Sequence, residues 1–398
     1  MTSVLAGIGW HVLGASMAAS FYAPIEKVKK WSWETTWAVA GLFSWILLPI
    51  GVSLFLLSDF TGFYASMGSH LLLKVALFGA MWGVGNVSYG LTMRYLGMSL
   101  GMAVALGYTA VFGTLMPPIF RGQFVSDVLG TRSGIIILIG VAVCVAGIGF
   151  AGAAGISKEK ELSEEEKRAS IKEFDLKRGL LVATFSGIMS ACFAYGLAAG
   201  DPIKEITIQH GTSPLWQGLP VLVVLLAGGF TTNFIWCVVL NLRNRTGYQY
   251  VSSQTRGHVP SRNEETILET ATDAPGVEVA AWHTGQSEEQ GRVPITANYL
   301  LSALAGTTWY FQFFFYTMGE TQMGRYKFSS WTLHMASIMI FSTLWGIALH
   351  EWRGAGTRTR LLVACTLLVL VGSTVIVGYG NYLGVGAAAS TASSGGVR

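Results

Sequence analysis

The sequence predicts an all-α polytopic membrane protein whose ten transmembrane helices form two inverted five-helix repeats. Of its 398 residues, 52% are hydrophobic and only 12% are Asp, Glu, Lys or Arg, whereas an ordinary soluble domain carries about 25% charged residues. The hydrophobic residues are concentrated in runs long enough to cross a bilayer, which takes roughly 20 helical residues. The net charge is only +4, and the basic residues lie in short clusters between these runs. This composition argues against soluble secreted proteins and nucleic-acid-binding proteins.

The apolar runs define the ten predicted spans. They cover residues 4–23, 35–57, 71–92, 97–120, 134–154, 179–200, 215–240, 296–318, 329–349 and 360–380. Inside hydrocarbon every backbone N–H and C=O has to be satisfied within its own segment, and the runs lack the alternating pattern of a membrane barrel, so each is predicted to be a helix. Because no basic stretch precedes the first run, we expect it to remain as the first helix and not to be removed as a signal peptide.

The positions of Lys and Arg predict the orientation in the membrane. The odd-numbered connections between spans carry 19 of the 26 basic residues, the even-numbered connections carry 6, and the tail carries one. Basic residues are enriched in the cytoplasmic connections of membrane proteins. The odd-numbered connections are therefore predicted to be cytoplasmic and both termini periplasmic.

A densely charged segment divides the chain into halves with five spans each. Because each half crosses the membrane an odd number of times, the two halves have opposite orientations, as in the inverted repeats of many transporters. Residues 241–295 are rich in Ser, Thr, Gly and Glu, so we expect them to form a disordered cytoplasmic loop. The predicted organisation is a first repeat at 1–155, a charged cytoplasmic linker at 156–178, a second repeat at 179–384 containing that loop, and a flexible tail at 385–398.

A short internal match accompanies this division. Around the third and eighth predicted spans, Trp, Tyr and Gly recur at the same two spacings, as Trp82, Tyr89 and Gly97 and as Trp309, Tyr316 and Gly324. A chain with 13 Trp and 14 Tyr also produces such matches by chance. The match therefore agrees with a repeat and does not establish one.

Ionisable residues within the predicted spans are few. No Asp or Glu lies in the middle third of a span; His11 lies in the first span and His334 in the ninth, and Glu34, Arg94 and Glu320 lie near span ends. Buried ionisable groups in membranes usually mark an ion or substrate pathway, and histidine changes charge near neutral pH. We predict that His11 or His334 carries a proton, with Glu320 or Glu34 as a relay. Alternatively, each imidazole only bonds a neighbouring helix, and Glu34 and Arg94 pair with each other or with lipid headgroups.

Neutral hydrogen-bonding side chains and tryptophans form a second candidate group. Its members are Asn86, Tyr89, Tyr108, Gln312 and Tyr316, together with Trp10, Trp82, Trp309 and Trp331. This mixture suits a sugar, whose hydroxyls need donors and acceptors while its C–H face packs on an aromatic ring. We predict a sugar site between the halves, lined by helices one, three, four, eight and nine. The alternative is the aromatic belt at the membrane interfaces.

Motifs of enzymes and cofactor sites are missing from the sequence. It contains neither a GxxxxGK[ST] phosphate loop nor an HExxH zinc motif, and its four cysteines are scattered singly in apolar runs. No nucleophile lies beside a base in the pattern that covalent catalysis needs. The sequence therefore predicts that the protein is not an enzyme and that it needs no cofactor or metal.

Three long strings resemble one family of bacterial transporters. They are WHVLGASMAASFYAPIEKVKKWSWE, FGAMWGVGNVSYGLTMRYLGMSLG and YFQFFFYTMGETQMGRYKFSSWTLHMA, and they resemble the L-rhamnose–proton symporter family of the drug/metabolite transporter superfamily. The resemblance implies two inverted five-helix repeats, a location in the bacterial inner membrane, and import of L-rhamnose with a proton. The motif positions of the family that match this chain are Trp10, His11, Glu34, Trp82, Asn86, Tyr89, Arg94, Gln312, Tyr316, Trp331 and His334.

Two other functions stay open at this point. An exporter of amphipathic metabolites or drugs has the same architecture, and a membrane sensor would use the fifth and seventh connections to recruit a cytoplasmic partner. The predicted partners of a symporter are a small sugar, a proton and the lipid bilayer, without nucleic acid. The sugar among related deoxy- and L-sugars, the choice between proton and sodium, and the oligomeric state are not determined by the sequence.

Overall fold

The structure, a computed structural model, describes residues 4–96, 98–161, 175–253, 292–349, 352 and 354–394. This part of the chain consists of ten long helices joined by turns and short helices. The long helices are α1 (Val4–Ser20), α2 (Trp33–Leu56, with a π-helical turn at Phe43–Leu47), α3 (Ser69–Leu96), α4 (Met98–Phe120), α5 (Arg132–Lys160), α6 (Leu176–Ala199), α7 (Leu219–Arg243), α8 (Ile295–Gln322), α9 (Ser330–Ala348) and α10 (Thr357–Ser394).

Among the described residues, nine helical segments are long and apolar enough to cross a membrane, which confirms an all-helical multi-pass membrane protein. The remaining predicted span, at 296–318, corresponds to α8. Its 28 residues make a helix of about 42 Å at 1.5 Å per residue. It is not among the nine, and its sequence contains Thr, Tyr, Asn and Gln residues, several of which are buried against other helices. The count of ten spans is consistent with the structure and stays a prediction.

Helices of the two halves pack in matching pairs. α1 packs on α8 and α6 packs on α3, while α2 contacts α8 and α7 contacts α3. α5 packs along α10. Two inverted repeats produce this exchange of equivalent helices, so the packing is consistent with the predicted repeats.

Glycines at equivalent positions allow these close contacts. A Cβ on Gly79 of α3 would overlap the Leu225 carbonyl oxygen of α7, and a Cβ on Gly306 of α8 would overlap the Ala40 carbonyl oxygen of α2. Small residues let helix backbones approach in a membrane. These two glycines are separated by the same number of positions as the matched tryptophans of α3 and α8, which adds a structural counterpart to the internal sequence match.

The ends of the predicted cytoplasmic loop 241–295 are folded. Asn298 accepts a hydrogen bond from the Lys29 amide at 3.1 Å and donates one to the Lys29 carbonyl at 2.8 Å. The Ser32 amide donates to Gln249 Oε1 at 2.8 Å. The flanks at 241–253 and 292–295 therefore pack near the start of α2, whereas 254–291 lie outside the described residues.

Two further predicted segments are described only in part. Of the linker predicted at 156–178, residues 162–174 lie outside the described part of the chain. α10 continues to Ser394, so the first ten residues of the tail predicted at 385–398 are helical, and the last four are not described.

Candidate functional site

Two histidines and a tyrosine meet in the interior between α1, α8 and α9. The ring of Tyr316 lies 5.1 Å from the ring of His11 and 5.1 Å from that of His334, measured between centroids, and the two imidazoles are 6.3 Å apart. Both histidines are fully buried and Tyr316 is 3% exposed. The structure thus brings together both histidines and one tyrosine that the sequence singled out, although the two histidines are separated by most of the chain.

Glycines place α1 against α8 at this point. A Cβ on Gly319 would lie 2.7 Å from His11 Nε2 and 2.9 Å from the carbonyl oxygen of Gly7, and a Cβ on Gly14 would lie 2.7 Å from the carbonyl oxygen of Gln312. These distances are well below an ordinary carbon contact of about 3.5 Å. The absence of side chains at these glycines therefore allows the His11 ring to reach α8.

Polar atoms in this interior lack partners within the described residues. Neither ring nitrogen of His11 makes a hydrogen bond there, and neither does Nε2 of Gln312, which is 3% exposed. The His334 ring lies beside the backbone of His11. Buried polar groups are normally paired, and an unsatisfied one costs about 1–3 kcal/mol. The interior therefore has the unsatisfied donors and acceptors that a polar ligand or a transferred proton could use. Two imidazoles this close repel each other when both are charged, so we expect the pair to hold at most one added proton.

A cleft leads from this interior to one end of the helix bundle. It encloses about 530 Å³ counted to its open mouth. Tyr316 and Trp331 lie at its inner end, and Arg121 and Lys327 are among the residues that line it. Trp331 is held in place because its Nε1 donates to the Thr109 carbonyl at 3.0 Å. Trp331 therefore contributes both to the cleft wall and to the contact between α4 and α9.

Five charged side chains surround the mouth of the cleft, and we call them the charged cluster: Arg121, Asp201, Lys204, Glu320 and Lys327. Lys204 Nζ donates to Glu320 Oε2 at 2.8 Å and lies 3.2 Å from Asp201 Oδ1. Asp201 also accepts from Lys327 at 3.0 Å and from Arg121. Glu320 is a predicted relay, whereas Lys204 is only one of the counted basic residues and Asp201 is not among the predicted site residues. Their spacing of three residues at the start of a short helix, Asp201–Gln209, was the available signal.

Trp331 of the cleft wall belongs to an aromatic layer. Phe193 and Phe313 stack with centroids 4.2 Å apart, and Trp331 lies 5.8 Å from Phe193. Trp82 and Trp309 contact Phe313 at 5.7 and 5.9 Å. Three predicted tryptophans therefore belong to one layer, in which Phe193 and Phe313 connect them. These two phenylalanines are not among the predicted residues, because nothing in an apolar run distinguishes such a ring from ordinary packing.

Other predicted sugar-binding residues lie apart from the histidines. Trp10 stacks on Phe315 at 5.6 Å, and Tyr108 stacks on Phe112 at 5.8 Å. Tyr89 is buried in a small separate cluster of α3 and α4. Asn86 is half-buried, one turn after Trp82 on α3. Their assignment to a sugar site stays a prediction.

Glu34 lies at the other end of the molecule from Glu320. It is 1% exposed and accepts hydrogen bonds from Thr246 Oγ1 at 2.6 Å and from Asn244 Nδ2 at 3.2 Å. These partners, which follow α7, differ from the expected pairing with Arg94 or with lipid headgroups; the Arg94 side chain is outside the described part of the structure. Glu34 therefore joins the start of α2 to the end of α7.

Comparisons with known proteins agree on one family. The family described as L-rhamnose-proton symport protein matches residues 1–248 and 289–388. An L-rhamnose-proton symporter of Mannheimia succiniciproducens is 40% identical over 95% of this chain and 99% of its own length. L-rhamnose-proton symporters of Klebsiella pneumoniae and Escherichia coli are each 38% identical over 95% of this chain and over 98% and 99% of their own lengths. The chain therefore belongs to the L-rhamnose-proton symport protein family.

Proposed function

We propose that this protein imports L-rhamnose, or a closely related deoxy- or L-sugar, together with a proton across the bacterial inner membrane. The proposal rests on membership of the symporter family and on the buried polar interior at the end of a cleft. The cleft is lined by the polar groups of Tyr316 and Glu320 beside the ring of Trp331. Transport, and not catalysis, is the activity of this family.

The proposed orientation places the mouth of the cleft on the periplasmic side. The mouth is lined by Arg121 and Gln123, which belong to an even-numbered connection, and the distribution of basic residues predicts these connections and both termini to be periplasmic. Glu34 and the loop flanks would then close the cytoplasmic side. In this orientation the described conformation is the one that receives sugar from outside.

The proposed cycle is alternating access around the aromatic layer. Sugar hydroxyls would meet Tyr316 and Glu320 in the cleft, with a ring face or the deoxy methyl against Trp331. Opening toward the cytoplasm would require separation of Phe193 from Phe313 and release of the contacts around Glu34. The proton supplies the driving force, since one charge moved across 100 mV gains about 2.3 kcal/mol, a bias of roughly fiftyfold.

Proton binding is assigned to the His11–His334 pair and Glu320. The ring nitrogens of His11 are unpartnered in the described structure, and Glu320 lines the cleft together with Tyr316, which contacts both histidines. Tyr316 lies between these groups, since it contacts both imidazoles and precedes Glu320 by one helical turn. Because Tyr316 connects the histidines to Glu320, the arrangement supports coupling between the proton and the sugar within one cavity.

Labelled-sugar uptake into proteoliposomes tests the proposal. An imposed inward proton gradient should drive L-rhamnose above its external concentration, and a proton uncoupler should abolish this accumulation. A sodium gradient of equal size serves as the control for the coupling ion. Accumulation driven by sodium alone would contradict proton coupling, and absence of rhamnose uptake under both gradients would contradict the substrate.

Two alternatives give different results. An exporter would protect cells from toxic amphipathic compounds without taking up rhamnose. A sensor would lose its partner when residues 254–290 are deleted, whereas a transporter would keep its flux. The deletion leaves the loop flanks in place because Thr246 and Gln249 bond the start of α2.

A further inference from the structure

Lys204 occupies an unusual position between two carboxylates at the mouth of the cleft. It lies on the short helix Asp201–Gln209 after α6, and it is 6% exposed. Its Nζ is 2.8 Å from Glu320 Oε2 and 3.2 Å from Asp201 Oδ1. Lysine is rarely buried this far without an opposite charge, because an unpaired buried charge is strongly destabilising. The position of Lys204 therefore depends on both carboxylates.

The two carboxylates have different numbers of partners. Asp201 forms ion pairs with Arg121, Lys204 and Lys327. Among the described residues, Glu320 forms one ion pair, with Lys204. A proton on Asp201 would weaken three ion pairs at once. A proton on Glu320 would weaken one, and Lys204 would keep Asp201 as its counter-ion. The charged cluster therefore favours Glu320 over Asp201 as the group that accepts a proton.

From this asymmetry we propose that Lys204 is a positioning residue that sets the protonation of Glu320 and shifts to Asp201 when Glu320 takes up a proton. The inference rests on the proposed function and adds to it the control of the proton site. In this step a proton from the open side of the cleft bonds to a carboxylate oxygen of Glu320, and the Lys204–Glu320 ion pair is lost. The charge of the cluster rises by one unit, and Asp201 remains ionised beside Lys204.

The step has a structural consequence for α8. The ion pair joins Glu320 of α8 to the helix that follows α6, so its loss would loosen one of the contacts between these elements. Glu320 lies one helical turn after Tyr316, and both line the cleft together with Trp331. Proton uptake at the mouth would therefore change the contacts of the helix that also carries Tyr316.

The charged and titratable groups around this site come from several elements of the described part of the chain. Lys204 and Asp201 come from the short helix after α6, Tyr316 from α8 itself, and Lys327 from the turn before α9. The cleft wall adds Arg121 at the end of α4 and Asp127 in the following connection.

Infrared difference spectroscopy during a pH titration of the full-length protein in lipid tests the proposal directly. The carboxyl C=O band that disappears in Glu320→Gln reports the protonation of Glu320, and it needs no sugar. Removing the ammonium in Lys204→Met should move the midpoint of this band to higher pH by about 1–3 units, the usual effect of a close opposite charge. Lys204→Arg, which keeps the charge, should restore a midpoint near that of the parent protein. Lys74→Met removes an exposed lysine of α3 and serves as the control.

The results separate this inference from the proposed function. A Lys204→Met midpoint equal to that of Lys74→Met would overturn the inference, even if rhamnose uptake is normal. Absence of rhamnose uptake by the parent protein would refute the proposed function, while the titration would still decide the role of Lys204. Because Lys204→Met leaves a carboxylate unpaired and could fail to fold, Glu320→Gln gives an independent check. It mimics the protonated state, so it should fold, lose uphill uptake and keep sugar exchange, and loss of the folded state would also overturn the inference.

Discussion

Replacement of Gly319 by alanine is expected to displace His11 and to impair transport. An added Cβ would lie 2.7 Å from Nε2 and 2.8 Å from Cε1 of the His11 ring, and 2.9 Å from the Gly7 carbonyl oxygen. Carbon contacts are most favourable at about 3.5–4.0 Å. The ring and the backbone of α1 would therefore have to move by about 1 Å, and a change of the rotamer alone would not relieve the contact with Gly7.

The size of the effect follows from the cost of overpacking. Inserting a methyl group into a packed interior typically costs about 1–3 kcal/mol, and each 1.4 kcal/mol corresponds to about tenfold in an equilibrium. If this cost falls on the conformation that holds His11 beside Tyr316, uphill rhamnose uptake should fall roughly 5- to 150-fold. The melting temperature in detergent should fall as well, because the same contact joins α1 to α8.

Gly9→Ala is the matched control, because Gly9 lies on the same helix and a Cβ there would meet nothing within 4 Å. Both variants are measured by proton-driven uptake of labelled rhamnose in proteoliposomes, with equal amounts of folded protein confirmed by size-exclusion chromatography. Equal uptake by Gly319→Ala and Gly9→Ala would refute the close approach of α1 and α8 as a requirement for function.

Three further predictions concern the histidines, the aromatic layer and the connection between α5 and α10. His11→Ala and His334→Ala should each lose uphill, uncoupler-sensitive uptake, and the histidine assignment is wrong if both variants retain it. Phe313→Ala removes a stacked ring and should cost about 3–5 kcal/mol in the free energy of unfolding; a pH-sensitive dye inside the vesicles should show a sugar-independent proton leak. Hydrogen bonding from the Gly356 amide lowers the pKa of Glu161 below its ordinary value of 4.5. The ionised carboxylate therefore stabilises the folded state above pH 4.5, and this stabilisation is lost as the pH falls through the lowered pKa. Thermal unfolding should accordingly distinguish Glu161→Gln from the parent protein at pH 7 and no longer do so in strong acid, and a difference that grows toward low pH would contradict the assignment.

The histidines and Glu320 can be singled out from residue type alone. An ionisable side chain in or next to a hydrophobic run is expensive, so it stands out without knowledge of its neighbours. The same reasoning discriminates less among the tryptophans and tyrosines, whose assignment to a sugar site stays a prediction. Trp331 lines the cleft and Tyr316 contacts the histidines, whereas Trp10 and Tyr108 stack on phenylalanines of their surroundings. Aromatic residues have many reasons to occur in membrane helices, so their type alone does not distinguish a site from packing.

The partners of charged residues near the ends of spans could not be predicted from the sequence. Lys204 and Asp201 lie just beyond the sixth predicted span, where Lys204 contributes only to the count of basic residues and Asp201 is not singled out, yet Lys204 pairs with both Glu320 and Asp201. Glu34 was considered for a relay or a pair with Arg94, yet its described donors come from the end of α7. These partners are distant in the chain, and only the crossing of the helices brings them within hydrogen-bond distance.

An all-helical membrane protein with a few conspicuous ionisable residues can be predicted from the sequence alone. This is possible because hydrocarbon obliges each span to satisfy its backbone hydrogen bonds internally, so the identity of a span is a local property. Helix packing brings His11, Tyr316 and His334 together, stacks Phe193 on Phe313, and places Lys204 between two carboxylates. Those outcomes depend on the rotation and close approach of helices from different parts of the chain, which glycines such as Gly319 permit and which no single span specifies.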